Sequence, residues 1–160
     1  MKIRALAQRD REKLHSMLVE TRVFTREEIA VAMELIDHVL KDPNQEDYRV
    51  DCMANDEDQP VGYVCYGPVP MTQGTFDLYW IAVDPRYHGK GVGSRLLRFI
   101  EEVIRGRDGR MILVDTSSIP QYEKAQQFYA RHGFEEVARV PDYYHPGNDR
   151  ITFCKRLTGE

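Results

Sequence analysis

No apolar run in this chain is long enough to cross a bilayer, and Met1-Lys2-Ile3-Arg4 leads into a strand pattern rather than the apolar core of a secretory signal. A membrane-spanning or exported protein is therefore not expected, and the expected location is cytoplasmic. Cysteine is scarce: Cys52, Cys65 and Cys154 are odd in number, scattered, and without C-x-x-C spacing. That excludes a disulfide framework and a cysteine metal site, and leaves each thiol as a small buried hydrophobe in a strand. His15, His38, His88, His132 and His145 form no i, i+4 ligand pair, so no metal is implied. Positive charge is in deficit: 22 Lys and Arg against 26 Asp and Glu, with pI near 5.8, argue against a general nucleic-acid binder. Internal repeats and low-complexity stretches are missing too. What remains is 160 residues, 42% hydrophobic and 30% charged, by length a single domain, 1–160, able to bury a core.

Residues 77–97 carry the most information. Leu78, Trp80 and Ala82 alternate with Tyr79, Ile81 and Val83 up to the turn signal Asp84-Pro85, a strand expected to be buried on both faces. Gly89, Gly91 and Gly93 follow, and then Leu96, Leu97, Phe99, Ile100, Val103 and Ile104 at helical spacing. Glycines let a phosphate approach the free N–H groups and positive dipole end of a helix N-terminus without Cβ obstruction. The stretch therefore reads as a phosphate or pyrophosphate cradle. Arg86, His88, Lys90, Arg95 and Arg98 beside it are either a landing site for phosphates or a solvated helix face.

Spacing separates the owners of such a cradle. A P-loop needs G-x-x-x-x-G-K-[ST], but Lys90 lies between the glycines. A dinucleotide fingerprint needs G-x-G-x-x-G; Ser94 stands where the third glycine belongs, although Asp115 falls roughly where a ribose-binding acid would, about 20 residues on. Against that reading, the cradle lies in the second half of a short chain, with little room for a doubly wound sheet and a substrate domain.

Three segments in order carry a resemblance: Ile81-Ala82-Val83-Asp84-Pro85, then His88-Gly89-Lys90-Gly91-Val92-Gly93, then Ala125-Gln126-Gln127-Phe128-Tyr129-Ala130-Arg131-His132-Gly133-Phe134. Together they resemble the GNAT superfamily of acetyl-CoA-dependent N-acetyltransferases, whose glycine loop reads Q/R-x-x-G-x-G/A and whose later helix ends in Tyr closely followed by Gly-Phe. His88 departs from the Gln/Arg position, while Gly91 and Gly93 match the small ones. The resemblance covers residues 45 to 157 well and the first 44 in general pattern.

Taken in order, the chain suggests a short strand at Ile3, Ala5 and Ala7, and one amphipathic helix marked by Leu14, Met17, Leu18 and Val23 and broken around Thr21 to Phe24. A capping box at Thr25 and Glu28 then opens a second helix that stops near 41–44. Tyr48 to Ala54 and Val61 to Tyr66 read as a hairpin, followed by strand 75–83, the cradle helix, and strand 110–116 parallel to 75–83 through a right-handed crossover. A helix from about 121 to 132 is stopped by Gly133, strand 134–140 follows, 141–149 reads as a loop, and 150–157 as a closing strand. With the resemblance, this implies an α/β (α+β) fold, a mixed and partly splayed sheet of about seven strands flanked by four helices.

The resemblance further implies that acetyl-CoA is the co-substrate. Its pantetheine arm would pair with backbone groups of Ile81, Ala82 and Val83, and its pyrophosphate would sit on His88, Gly89, Lys90, Gly91, Val92, Gly93 and Ser94. Tyr129 matches the tyrosine that protonates the leaving thiolate. Asp77 stands where some relatives carry a general-base glutamate, one carbon longer; Tyr79, Asp115 and Glu27 are weaker substitutes. Tyr122 stands where many relatives have an asparagine that bonds pantetheine. Phe24 in the early loop and Tyr143, Tyr144 and His145 in the late one are candidates to line the acceptor pocket or to pack loop ends. The partner is an amine acceptor, and dimerisation is common among relatives, although no residue pattern here establishes a homodimer. The departures at Asp77, His88 and Tyr122 leave open a second class, an acyl-CoA-binding sensor or interaction module without turnover. A nucleotide-binding domain is the third.

Overall fold

The Thr25 hydroxyl accepts from the Glu28 N–H at 3.1 Å and the Glu28 carboxylate from the Thr25 N–H at 2.8 Å. This reciprocal cap satisfies two donors that a helix start otherwise leaves open, and it opens α2 (Arg26–Lys41) as the spacing predicts. Before it lie β1 (Lys2–Ala5) and α1 (Arg11–Glu20). After it come β2 (Arg49–Ala54), β3 (Pro60–Pro68), β4 (Thr75–Val83), α3 (Val92–Arg105), β5 (Met111–Ser117), α4 (Glu123–Arg131), β6 (Glu135–His145) and β7 (Asn148–Arg156). The computed structural model describes residues 1–157.

The seven strands are ordered β1-β2-β3-β4-β5-β7-β6. The pairs β1–β2, β2–β3, β5–β7 and β6–β7 are antiparallel, and β4–β5 is parallel. This mixed sheet is the expected fold class and not a doubly wound parallel one. The parallel ladder is short: it joins Thr75↔Met111, Phe76↔Ile112 and Asp77↔Leu113, and β4 continues for six residues beyond it. Among the described residues no helix is long and apolar enough to cross a membrane.

Two compact units share β4 and α3. Met1–Gly67 and Tyr79–Glu102 make the first; Pro68–Leu78 and the chain from Val103 onward make the second. In the first, Leu14, Met17, Leu18, Met33 and Ile36 of α1 and α2 meet Val50, Cys52, Tyr63, Cys65 and Ala82 of the strands. Removing such side chains from water contributes about 1.5–3 kcal/mol each. In the second, the Tyr129 ring lies 5.6 Å from Phe134 and 6.0 Å from Phe153. All three cysteines are free and buried in strands, as expected, and burial pushes the Cys52 and Cys65 thiols up to about 12.

Two expectations need correction. β4 is not buried on both faces: Phe76, Leu78 and Ala82 are buried, whereas Thr75, Asp77, Ile81 and Val83 are half-buried and Tyr79 is exposed. An uninterrupted apolar run reveals a strand but not how much of each face its neighbours cover. The region 141–149 is not a loop either, because β6 runs to His145 and pairs with Asn148 across a two-residue turn. Pro141 and Asp142, with φ of 57°, carry loop signals, and they sit where the ladder shifts register between Val140 and His145. A β-bulge absorbs residues that would otherwise end a strand. All of β6 is exposed.

Candidate functional site

In the first unit, β4 ends in a loop fixed by Asp84. Its N–H donates to the Val61 carbonyl at 2.9 Å, and its buried carboxylate accepts from Arg86 N at 2.9 Å and Nη2 at 2.8 Å. The Arg86 side chain holds that carboxyl below the usual carboxylate range. Strand alternation then turns the backbone groups of Ala82 toward β3 as well, leaving those of Ile81 and Val83 for the opposite edge. His88 Nε2–H donates to the Val83 carbonyl at 3.1 Å, tying the loop back to the strand.

Gly89 and Gly91 have φ of 76° and 78°, and a Cβ built on either meets nothing within 4 Å. Open space and a left-handed backbone are what a bound polar group approaching the main chain requires. The Gly91 carbonyl accepts from the Arg95 N–H at 3.0 Å, so Gly91 opens α3. α3 then begins at Val92, and its N-terminal end carries the positive pole of the helix dipole. Of the neighbouring cations, Arg86 is paired with Asp84, Lys90 Nζ lies 5.4 Å from the Tyr87 ring centre, and Arg95 Nη2 reaches the Met1 carbonyl at 3.4 Å. A polar cavity of about 390 Å³ adjoins the loop, lined among others by Lys13, Arg86, Tyr87 and Lys90.

The second unit holds the titratable candidates. Asp77 is half-buried on β4, and its carboxylate accepts no hydrogen bond among the described residues. Burial, and then the charge of Asp115, push its pKa up. Asp115 itself accepts from Thr152 Oγ1 at 2.6 Å. Tyr129 is 6% exposed on the last turn of α4, and its hydroxyl makes no hydrogen bond among the described residues. Burial raises its pKa, so the phenol keeps its proton throughout the physiological range. Tyr122 is the residue immediately before α4. Tyr143 and Tyr144 are exposed, Arg150 lies 4.5 Å from the Tyr143 ring centre, and the two tyrosine rings meet edge-on at 4.9 Å.

Back in the first unit, Phe24 does find a partner, the Trp80 ring at 5.2 Å. Tyr48 joins it near the same strand, 5.7 Å from Tyr79. Neither Trp80 nor Tyr48 stood out in the sequence as more than strand residues, because contacts between positions as far apart as 24 and 80, or 48 and 79, leave no periodic signal.

The acetyltransferase (GNAT) domain of known families matches residues 49–136, a span that takes in β4, the glycine loop and the Tyr129 helix. A crystal structure from Desulfovibrio desulfuricans, assigned to the GNAT family of acetyltransferases, superposes with a TM-score of 0.91 at 35% identity, over 98% of this chain and 99% of that one. An aminoglycoside 6′-N-acetyltransferase complexed with coenzyme A gives 0.77 at 16% identity, over 100% and 99%. The ribosomal-protein-S18-alanine N-acetyltransferase of Escherichia coli gives 0.76 at 18%, over 99% and 95%. These last two likenesses are of fold. With more than half of the sequence matched by the family's own domain and a relative at 35% identity over nearly its whole length, this chain belongs to the GNAT family of acetyltransferases.

Proposed function

We propose that the chain transfers an acetyl group from acetyl-CoA directly to an amine, with the glycine loop that opens α3 as the observation that carries the reading. The pyrophosphate lies on the backbone of residues 88–94, where the left-handed glycines and the positive dipole end of α3 form an anion site. The pantetheine arm adds along β4 at Ile81 and Val83, in the manner of an extra strand, and Tyr122 is assigned to bond the same arm. Three free thiols fit a reducing compartment, and we place the reaction in the cytoplasm.

The neutral amine adds to the thioester carbonyl and forms the C–N bond. Collapse of the tetrahedral intermediate breaks the C–S bond, and the thiolate takes the Tyr129 phenolic proton. Asp77, directly or through water, accepts the proton that the amine loses. No covalent acyl-enzyme is needed, in keeping with the inert Cys52 and Cys65 thiols.

Acetyl-CoA and CoA are expected to raise the melting temperature and NAD to leave it alone, since a ligand that binds only the folded state stabilises it, by about 2.7 kcal/mol at a hundredfold excess over Kd. A shift with NAD and none with CoA would sink the reading.

The Asp77 role predicts an acid limb in the pH profile of kcat/KM. Asp77→Asn should remove that limb and lower the rate by about 10²-fold. Because Asp115 is a like charge that raises the Asp77 pKa, Asp115→Asn should move the limb to lower pH; a limb that stays put would exclude Asp77 as its source. The same shift has a stability sign. A carboxyl with a raised folded pKa binds more protons folded than unfolded, so its contribution falls as pH rises from the unfolded to the folded value.

A further inference from the structure

We infer that the aromatic group around Trp80, with the carboxylates beside it, is the acceptor wall and selects an amine that carries a second positive charge. This rests on the acetyl-CoA reading above. The pyrophosphate loop follows Val83, so a pantetheine arm laid on β4 runs from Val83 back to Ile81. Its thioester end then falls at the preceding residues, Trp80 and Tyr79.

Aromatic side chains gather at that point. Phe24 meets Trp80 at 5.2 Å, Tyr48 meets Tyr79 at 5.7 Å, and His38 meets Tyr48 at 5.3 Å. Tyr79 is 38% exposed, and the Trp80 indole N–H is buried without an acceptor among the described residues. A buried donor left unpaired is costly unless a bound molecule supplies an oxygen. Aromatic faces attract cations. Three other rings carry the protein's own cations: Lys90 over Tyr87, Arg107 over Phe76 and Arg150 over Tyr143. No side-chain cation stands over Trp80 or Tyr48 among the described residues.

Charge points the same way. Residues 26–47 hold seven carboxylates against Arg26 and Lys41, a net of −5 where the whole chain has −4. Arg11 neutralises Asp37 at 2.6 and 3.0 Å. Asp47 lies 3.8 Å from His38 Nε2, and burial first, then Cys65, Asp47 and Glu34, push the pKa of the Tyr48 phenol up. An acceptor bearing a second ammonium gains from both the rings and these carboxylates, whereas a neutral or anionic amine does not.

The test compares spermidine and kanamycin with glycinamide and L-glutamate, following CoA thiol release after acetyl-CoA binding has been established by its melting shift. The two polycations should show kcat/KM at least about tenfold higher, and lose it several-fold as salt screens the carboxylates. Glu34→Gln with Asp47→Asn should raise KM for the polycations by about tenfold and leave KM for acetyl-CoA unchanged. Equal or faster turnover of glycinamide or glutamate overturns the inference, as does turnover of none of the four by protein that acetyl-CoA stabilises. Absence of any acetyl-CoA shift instead overturns the donor reading, and this inference falls with it.

Discussion

Replacing Tyr129 with phenylalanine is expected to lower kcat by about 10²-fold without lowering the melting temperature. The expectation comes from an imbalance in how the residue is held. Its ring is fixed by contacts with Phe128, Phe134 and Phe153, while its hydroxyl makes no hydrogen bond among the described residues. A hydroxyl without a protein partner gives the folded state little that phenylalanine would lose, and its removal is close to neutral. The oxygen is therefore kept for something other than packing. A proton donor to a leaving thiolate needs a proton that is always present, and burial raises the Tyr129 pKa and so keeps it there. Steady-state kinetics with saturating acetyl-CoA, beside a melting curve, decide the matter. An unchanged kcat removes Tyr129 from the chemistry, and a loss of kcat that tracks a fallen melting temperature makes it a packing residue.

Gly67→Ala is the substitution expected to harm the fold most. A Cβ at position 67 would stand 2.1 Å from the Asp47 carbonyl oxygen, 2.9 Å from Tyr48 Cα and 3.0 Å from Tyr48 Cβ. Two of those three atoms are backbone, which cannot swing aside as a side-chain tip would. Relieving the overlap means moving the segment that leads into β2, at about 3 kcal/mol. In a chain of this length that corresponds to a fall in melting temperature of about 6–12 °C. Saturating acetyl-CoA should recover part of the loss by mass action. A variant that melts like the parent would show that the close approach of 47–48 to 67 is not maintained in solution. Movement of Tyr48 would also disturb the rings beside Trp80, so a residual stable fraction should show a raised acceptor KM with acetyl-CoA binding intact.

Local chemistry was readable because it is local. The capping box at Thr25 and Glu28, the turn at Asp84-Pro85 and the stop at Gly133 each act within a few residues, and all three stand where the spacing places them. The glycine loop was legible for the same reason: a left-handed backbone at Gly89 and Gly91 depends on the residue itself. The two motifs on either side of β5, in order, also carried the family. The β6–β7 hairpin was not legible. Pro141 and Asp142 are loop formers by local preference, and only the ladder to β7 draws them into an interrupted strand.

The sequence by itself determined the glycine loop at the start of α3 from local spacing, and the mixed α/β fold class and the acetyltransferase family through the resemblance that its motifs carry. Tertiary structure decided the rest. It divided Ile81 to Val83 between two strand edges, spent Arg86 on Asp84, left the Tyr129 hydroxyl without a hydrogen bond among the described residues, raised the Asp77 pKa by burial beside Asp115, and packed Phe24, Tyr48 and Trp80 against one core. Each of those outcomes depends on which atoms distant in sequence become neighbours. Hydrogen-bond pairing, desolvation and charge coupling act over a few ångströms of space, and a one-dimensional pattern does not contain those distances.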